Sequence, residues 1–176
     1  MTEATDETPL AEVSRDGGFV VAQTHRAFDH PPEALWQALT EPAMLAQWLA
    51  PGRIELKAGG AARLDFTDSG TVIDSKVSAF EAGRVLEYSW SHGAEPHRPV
   101  RWEVTPRDGG ATLTLTLKTP EGEDAARAFA GWEAHLEMLE AALEGVPIKF
   151  PFERFKAARE AYKGRVAALY EGGVET

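Results

Sequence analysis

The 176-residue chain contains no cysteine, which excludes disulfide bonds, thiolate metal sites and cysteine nucleophiles. It also has no apolar run near the roughly 20 residues that a membrane helix needs, so we expect no membrane insertion. Basic residues are in the minority, since 18 Lys and Arg face 28 Asp and Glu and give a net charge of −10. That balance opposes non-specific attraction to phosphate backbones, and we expect no nucleic-acid partner. The acidic N-terminus lacks the features of a signal peptide, which makes the cytoplasm the default location.

Three parts of the chain differ in composition. Residues 1–17 are acidic with almost nothing to bury, and we expect them to form a disordered tail. Residues 18–145 carry the hydrophobic pattern of a single domain. Residues 146–176 follow as an aromatic linker and a slightly basic helical extension. We expect this extension to pack back on the domain, or to dock a protein partner or a second subunit.

Strand and turn patterns dominate the first two thirds of the domain. The segment Phe19–Phe28 is typical of a strand, and two short helices follow it, separated at Pro42. From Arg53 to Thr119, turn signals separate about six consecutive strands. In the last of them, leucines alternate with threonines, which indicates one buried and one solvated face.

The longest helical pattern spans residues 124–144 and stops at Gly145. Its apolar residues recur every three or four positions as one continuous stripe. A sheet with one apolar face must cover that face, and this helix, ~30 Å long, is the only element long enough to do so. We therefore predict an α+β helix-grip fold: a curved antiparallel β-sheet wrapped around a long C-terminal helix, with two short helices after the first strand.

Several short motifs in this order resemble a known family. The run from Pro32 to Trp48 is similar to the opening helix pair of the START-like (SRPBCC) superfamily, and most of all to its heat-shock-protein-90 ATPase activator homologue-like family. Gly59-Gly60 before an aromatic-containing strand, Gly70, Arg84-Val-Leu-Glu-Tyr-Ser-Trp90 and Gly131-Trp132 fit the same layout. The resemblance covers residues 18–145. It implies an apolar ligand cavity and a range of roles: ligand carrier, polyketide cyclase, self-sacrificing resistance protein or chaperone co-activator.

Large side chains on the facing surfaces of sheet and helix are the candidates for a ligand pocket. They are Tyr88, Trp90, Trp102, Phe129, Trp132 and His135. The three tryptophans among them either stack on an aromatic ligand or fill the core, and the sequence leaves both alternatives open. His135 flanks the apolar stripe and either contacts the ligand or lies at the core boundary. If its imidazole is buried it needs a hydrogen-bond partner, for which Tyr88, Glu87 and Glu103 are the candidates.

Other polar groups favour solvent. His92, His97 and Glu95 lie in a Gly- and Pro-rich loop, which we interpret as solvated, with a possible role as a lid. Glu87 and Glu103 are expected to form a surface pair with Arg84 or Arg101. Four glutamates at helical spacing are interpreted as the solvated face of the long helix: Glu133, Glu137, Glu140 and Glu144. Catalytic, dinucleotide, phosphate-loop and zinc motifs are absent, so we assign no catalytic residue, metal or cofactor.

Three functions are therefore compared. The first is binding of a small apolar or aromatic ligand in an internal cavity, for transport, sequestration or sensing. The second is a protein-interaction module or chaperone ATPase co-activator that docks through Phe150, Phe152 and Phe155. The third is a cyclase or hydrolase of aromatic, polyketide-like substrates, with His135 and Tyr88 as acid–base pair in one cavity. Whether the protein is an enzyme stays open on the sequence, which favours binding over catalysis.

Overall fold

The computed structural model describes residues 10–66 and 70–172. Eight strands and four helices make up this part of the chain. In chain order they are β1 (Glu12–Asp16), β2 (Phe19–Phe28), α1 (Pro32–Thr40), α2 (Pro42–Trp48), β3 (Gly52–Ile54), β4 (Ala61–Phe66), β5 (Thr71–Glu81), β6 (Val85–Ser89), β7 (Pro99–Arg107), β8 (Gly110–Pro120), α3 (Ala125–Leu143) and α4 (Phe152–Gly172). Among the described helices, none combines the length and apolar character needed to cross a bilayer.

Helix boundaries follow the residues that terminate or start helices in the sequence. Pro32 opens α1 and Pro42 opens α2, where the missing proline N–H costs nothing because the first-turn N–H groups have no helical partner. Asp124 caps α3 by accepting a hydrogen bond from the backbone N–H of Arg127 at 3.0 Å. Gly145 follows α3 with φ +81°, a conformation that glycine adopts without steric cost.

All eight strands form one antiparallel sheet in the order β1-β2-β8-β7-β6-β5-β4-β3. Along β8, Leu113 and Leu115 are fully buried, while the alternating Thr112, Thr114 and Thr116 are half-buried. The register places Trp102 of β7 opposite Leu115, so the indole shares the buried face. Helix α3 covers that face, with Trp132 packed on Trp102 at 5.6 Å between ring centroids. The predicted helix-grip fold is confirmed.

The N-terminal region differs from the sequence prediction. Residues 1–9 of the predicted tail lie outside the described residues, but Glu12–Asp16 forms β1, which pairs with β2. The turn between them, Gly17-Gly18, has positive φ at both positions, as a two-residue hairpin turn requires. Most β1 side chains are exposed, so hydrophobic patterning gives no signal for this strand; the Asp-Gly-Gly turn was the signal available.

Helix α4 packs on the side of α3 that faces away from the stripe, and this packing overturns one prediction. Glu133 was expected in solvent, yet its side chain is only 2% exposed. Its Oε1 accepts hydrogen bonds from Arg26 at 2.5 Å and Arg154 at 3.1 Å, and its Oε2 accepts one from Tyr162 at 2.5 Å. The Tyr162 hydroxyl in turn accepts the backbone N–H of Ala11 at 2.8 Å. We call these five residues the Glu133 network; it joins β2, α3, α4 and the segment before β1.

Candidate functional site

A cavity of about 660 Å³ opens at one end of the helix grip, between the sheet, α3 and the linker that leads into α4. Trp90 follows β6 in the sheet, Trp132 and His135 belong to α3, and Phe150 belongs to the linker. The volume falls within the range of about 300–1,000 Å³ that is typical of small-molecule sites. Its position means that sheet, helix and extension each supply part of the wall.

Aromatic rings line most of this cavity and touch one another edge to face. Trp90 packs on Trp132 at 4.7 Å between ring centroids, and Phe66 packs on Trp90 at 5.8 Å. The His135 ring lies 5.5 Å from Phe150 and 6.0 Å from Phe66. Surfaces of this kind offer ring faces and edges to a flat apolar ligand.

His135 is anchored by a backbone carbonyl that the sequence did not suggest. Its Nδ1 lies 3.0 Å from the carbonyl oxygen of Trp48, at the end of α2. The expected partners Tyr88, Glu87 and Glu103 are not bonded to it in the described part of the chain, so that expectation was wrong. Burial lowers the pKa of the imidazole, and the hydrogen bond to the Trp48 carbonyl opposes this by a smaller amount.

Charged groups occupy the rim of the cavity. Arg98 binds Glu123 through two hydrogen bonds, Nε to Oε1 at 2.8 Å and Nη2 to Oε2 at 3.0 Å. The pKa of Arg98 is raised because the Glu123 carboxylate stabilises the guanidinium. Asp124 accepts a hydrogen bond from the Arg127 backbone N–H, whereas the exposed Arg127 guanidinium makes no ion pair with any described residue. Among the described rim residues, Arg98 is therefore fixed by an ion pair, whereas the Arg127 guanidinium is open to solvent.

The six residues predicted to bind ligand divide into three groups. Trp90, Trp132 and His135 line the main cavity. Phe129 lines a small adjoining space of about 30 Å³, between Trp90 and Trp132, and also packs on Tyr162 of α4. Tyr88 and Trp102 are fully buried in the core and are not among the residues that line the main cavity.

Tyr88 and His135 are consequently not brought together as an acid–base pair. Tyr88 Oη and Trp102 Nε1 lie near each other in the core, and neither makes a well-aligned hydrogen bond within the described residues. Burial raises the pKa of the Tyr88 phenol well above its usual value. A phenol that is hard to ionise and away from the cavity is poorly suited to proton transfer to a bound substrate.

Several cavity residues were missed by the sequence reasoning. Phe66 shares the inner face of β4 with the buried Ala62 and Leu64, and this period-2 alternation was the signal that could have found it. Three more come from the extension, Phe150, Phe152 and Phe155, which had been considered only as the docking patch that the protein-interaction hypothesis requires. No local pattern shows that a linker folds back over a distant helix.

The remaining polar residues lie outside this cavity. Glu87 and Glu103 both face Arg101, at 3.7 and 3.5 Å, which agrees with the expected surface pair. In the loop after β6, Glu95 accepts the backbone N–H of His92 at 2.9 Å. Buried Ser89 and Ser91 bond to each other at 2.8 Å and hold the two ends of this loop. Among the residues described, no group of three or more histidine or carboxylate side chains is placed to hold a metal ion.

Comparisons with known proteins agree with this architecture. The family model described as Activator of Hsp90 ATPase homolog 1-like protein matches residues 29–144. CalU16 from Micromonospora echinospora is 22% identical, with a TM-score of 0.74 over 90% of this chain and 96% of that chain. EF2215 from Enterococcus faecalis, a conserved protein of unknown function, is 19% identical, with a TM-score of 0.75 over 90% and 91% of the two chains.

DynU16, described as a protein in the dynemicin biosynthetic locus, is 30% identical, with a TM-score of 0.63. The match covers 72% of this chain and 48% of DynU16. A search of curated proteins found no match. The fold fits ligand binding and also a cyclase-like role.

Proposed function

The chain belongs to the Activator of Hsp90 ATPase homolog 1-like family, and on that premise we propose that it binds a small apolar or aromatic molecule in the cavity between sheet, α3 and linker. The observation that carries the proposal is the ring of aromatic side chains around about 660 Å³ of space. Burying such a ligand removes apolar surface from water, which stabilises the complex by roughly 25 cal/mol per Å² before the costs of association. Transport, sequestration and sensing all use this same step.

Two further observations support binding over catalysis. Among the described residues, the titratable side chains that line the cavity are one imidazole and a rim of charged groups, of which Arg98 and Glu123 neutralise each other. Tyr88, the expected partner of His135 in an enzyme, lies in the core. DynU16 comes from a biosynthetic locus, which is consistent with a biosynthesised small molecule as the ligand here.

The proposal is tested by blocking the cavity from within. Gly131 of α3 lines the cavity, and a Cβ added there meets no atom within 4 Å, so we expect the side chain of Gly131→Leu to be accommodated by filling cavity space. Gly164 of α4 also has room for a Cβ and does not line the cavity, which makes Gly164→Leu a matched control. Both changes replace a helical glycine, so their intrinsic effects on helix stability are similar.

Native mass spectrometry of the purified proteins gives the first readout. We expect a small molecule to be released from the wild type and from Gly164→Leu, and to be missing from Gly131→Leu. If the wild type carries nothing, titration with 2-methoxynaphthalene, followed by tryptophan fluorescence, replaces it as the readout. Unchanged fluorescence of the wild type at saturating probe, or equal binding by Gly131→Leu, contradicts the proposal.

A second candidate, protein docking, is favoured by the surface of the linker. Val146 and Phe152 are each 65% exposed, unusually high for large apolar side chains that a monomer could bury. The family name allows a chaperone ATPase as the partner. A pull-down that depends on Val146 and Phe152, with no loss on Gly131→Leu substitution, would favour this function over ligand binding.

A further inference from the structure

The hydrogen bond between His135 and Trp48 decides which nitrogen of the imidazole carries a proton. Nδ1 lies 3.0 Å from the Trp48 carbonyl oxygen. A carbonyl oxygen can only accept, so the ring must donate through Nδ1–H. A neutral imidazole has one N–H, and its other nitrogen then carries a lone pair. In neutral His135 that nitrogen is Nε2.

Nε2 is the nitrogen left for the cavity. The Nδ1 edge of the ring is turned toward the end of α2, while the ring itself lines the cavity. No described residue makes a hydrogen bond or an ion pair to Nε2. The charged groups that line the same cavity, Arg98, Glu123, Asp124 and Arg127, make no hydrogen bond to the ring. Burial also favours the neutral ring by lowering its pKa.

We propose, on the basis of the proposed function, that the ligand is a neutral aromatic molecule carrying a hydroxyl or N–H group, and that His135 Nε2 accepts its hydrogen bond. A phenol has this chemistry: its ring matches the walls built by Trp90, Trp132 and Phe150, and its O–H supplies the one donor that Nε2 lacks. An apolar wall with one convergent polar group is how such sites fix the orientation of a ligand.

The same geometry disfavours a carboxylate at His135. A carboxylate is an acceptor only, so it would place lone pairs against the lone pair of Nε2. A carboxylate ligand would instead be drawn to the exposed guanidinium of Arg127 at the rim. The two classes of ligand therefore depend on different residues, which a binding experiment can separate.

Three probes of similar size test the proposal at pH 7.5: 2-naphthol, which has a donor, 2-methoxynaphthalene, which lacks it, and 2-naphthoate, which is an anion. Dissociation constants come from calorimetry on the full chain. One hydrogen bond made to an otherwise unpaired buried acceptor corresponds to about three- to tenfold in affinity. We expect 2-naphthol to bind more tightly than 2-methoxynaphthalene by about that factor, and 2-naphthoate to bind most weakly.

His135→Phe keeps an aromatic ring and removes the acceptor, so it should bring the affinities of 2-naphthol and 2-methoxynaphthalene together. His25→Phe is the matched control, because His25 is exposed on β2 and bonds to Thr114 of β8 at 2.9 Å, away from the cavity lining. This control should preserve the preference for 2-naphthol.

A measurement on the unmodified protein covers the case in which His135→Phe does not fold. Long-range ¹H–¹⁵N NMR spectra distinguish a protonated from an unprotonated ring nitrogen. We expect Nδ1–H and a bare Nε2 in His135, with the Nε2 resonance moving on addition of 2-naphthol and not of 2-methoxynaphthalene. The Nε2–H tautomer would overturn the proposal.

The role of His135 Nε2 and the binding of a ligand in the cavity can fail separately. Equal binding of 2-naphthol and 2-methoxynaphthalene to the wild type overturns the role of Nε2 and leaves the ligand-binding function intact. Tightest binding of 2-naphthoate, lost in Arg127→Gln, identifies an anionic ligand and also overturns it. Failure of all three probes to bind contradicts the ligand-binding function itself.

Discussion

The two sides of helix α3 are both buried, but by different chemistry. The apolar stripe packs on the sheet through residues such as Trp132, Leu136 and Leu139, all buried. About 100° around the helix, Glu133 is equally buried against α4, where it binds two arginines and a tyrosine. On the first side, the stabilisation from apolar burial is non-directional and grows with the buried area. On the second side, the stabilisation requires that every hydrogen-bond and ion-pair partner of the buried carboxylate is present.

This difference explains why one side was predictable and the other was not. Helical spacing correctly placed Glu133 away from the stripe. Helical spacing could not predict what packs against that side, because the contacting residues Arg154 and Tyr162 of α4 lie 21 and 29 positions further along the chain. A charged residue on a helix is in solvent only if nothing later in the sequence covers it.

The largest expected change in stability comes from removal of the Glu133 carboxylate. Glu133→Ala removes the buried carboxylate that Arg26 and Arg154 share and leaves them only the distant, half-exposed Glu140 and Glu137, each at 4.0 Å. We expect a loss of about 3–5 kcal/mol in the free energy of unfolding. Urea denaturation measures it. The control is Glu137→Ala on the same side of α3, where the carboxylate is half exposed and 4.0 Å from Arg154; there the change should stay within about 0.5 kcal/mol. Similar losses for both variants would show that the Glu133 network contributes no special stability.

On the stripe side, truncation of Leu136 should cost about 2–5 kcal/mol, because Leu136→Ala removes buried methyl groups and leaves a cavity. Leu136→Met conserves the volume and should cost less than about 1.5 kcal/mol. A substitution that conserves volume is not expected to preserve stability at Glu133, because Glu133→Gln keeps the volume of the side chain but loses its charge. If Gln at position 133 is tolerated as well as Met at position 136, the two sides do not differ as described. Thermal and urea unfolding of the four variants provide the comparison.

The hydroxyl of Tyr162 connects the Glu133 network to the segment before β1, and its removal is expected to have a smaller effect on stability. Tyr162→Phe removes one hydroxyl, which donates a hydrogen bond to Glu133 and accepts one from the Ala11 amide. We expect the free energy of unfolding to fall by about 1–3 kcal/mol. The loss should be accompanied by faster hydrogen exchange of the Ala11 amide, since that N–H loses its acceptor. Unchanged exchange at Ala11 would mean that the N-terminal segment is held by other contacts.

The smallest expected effect is a change in pH dependence at His135, which lies on the cavity side of α3. Its folded-state pKa is lowered by burial, so the neutral ring stabilises the fold fully above its unfolded pKa of about 6.5. That stability is lost as the pH falls from this value toward the lowered pKa, because the unfolded chain takes up the proton first. His135→Gln should therefore lose less unfolding free energy than the wild type between pH 7.5 and 5. Parallel urea titrations at both pH values measure the difference, and equal losses in the two proteins would contradict it.

Sequence patterns predicted most of the sheet and the first three helices well, because the signals for these elements are local. Leucine and threonine alternation in β8, the prolines that open α1 and α2, and the stripe of α3 each arise within one element. β1 was missed because an exposed edge strand has no apolar alternation. Its one indication was the glycine pair of the hairpin turn.

The candidate site was only partly predictable for a related reason. Trp90 and Trp132 could be identified because they occupy the inner faces of predicted elements. Phe150 could not be placed, because its position depends on how the linker crosses α3. Likewise the partner of His135 is a backbone carbonyl, which no side-chain pattern in a sequence can indicate.

The linker that supplies Phe150 has a consequence for how the protein is made. Chains emerge from the ribosome N-terminus first, at about 5–20 residues per second, and domains can begin to fold as they emerge. The sheet strands and α3 all precede Gly145, so they leave the ribosome before the residues that complete the cavity wall. Until Phe150 has emerged, the cavity therefore lacks the part of its wall that the linker supplies. We therefore expect the proposed ligand to be captured only after the linker has folded over α3.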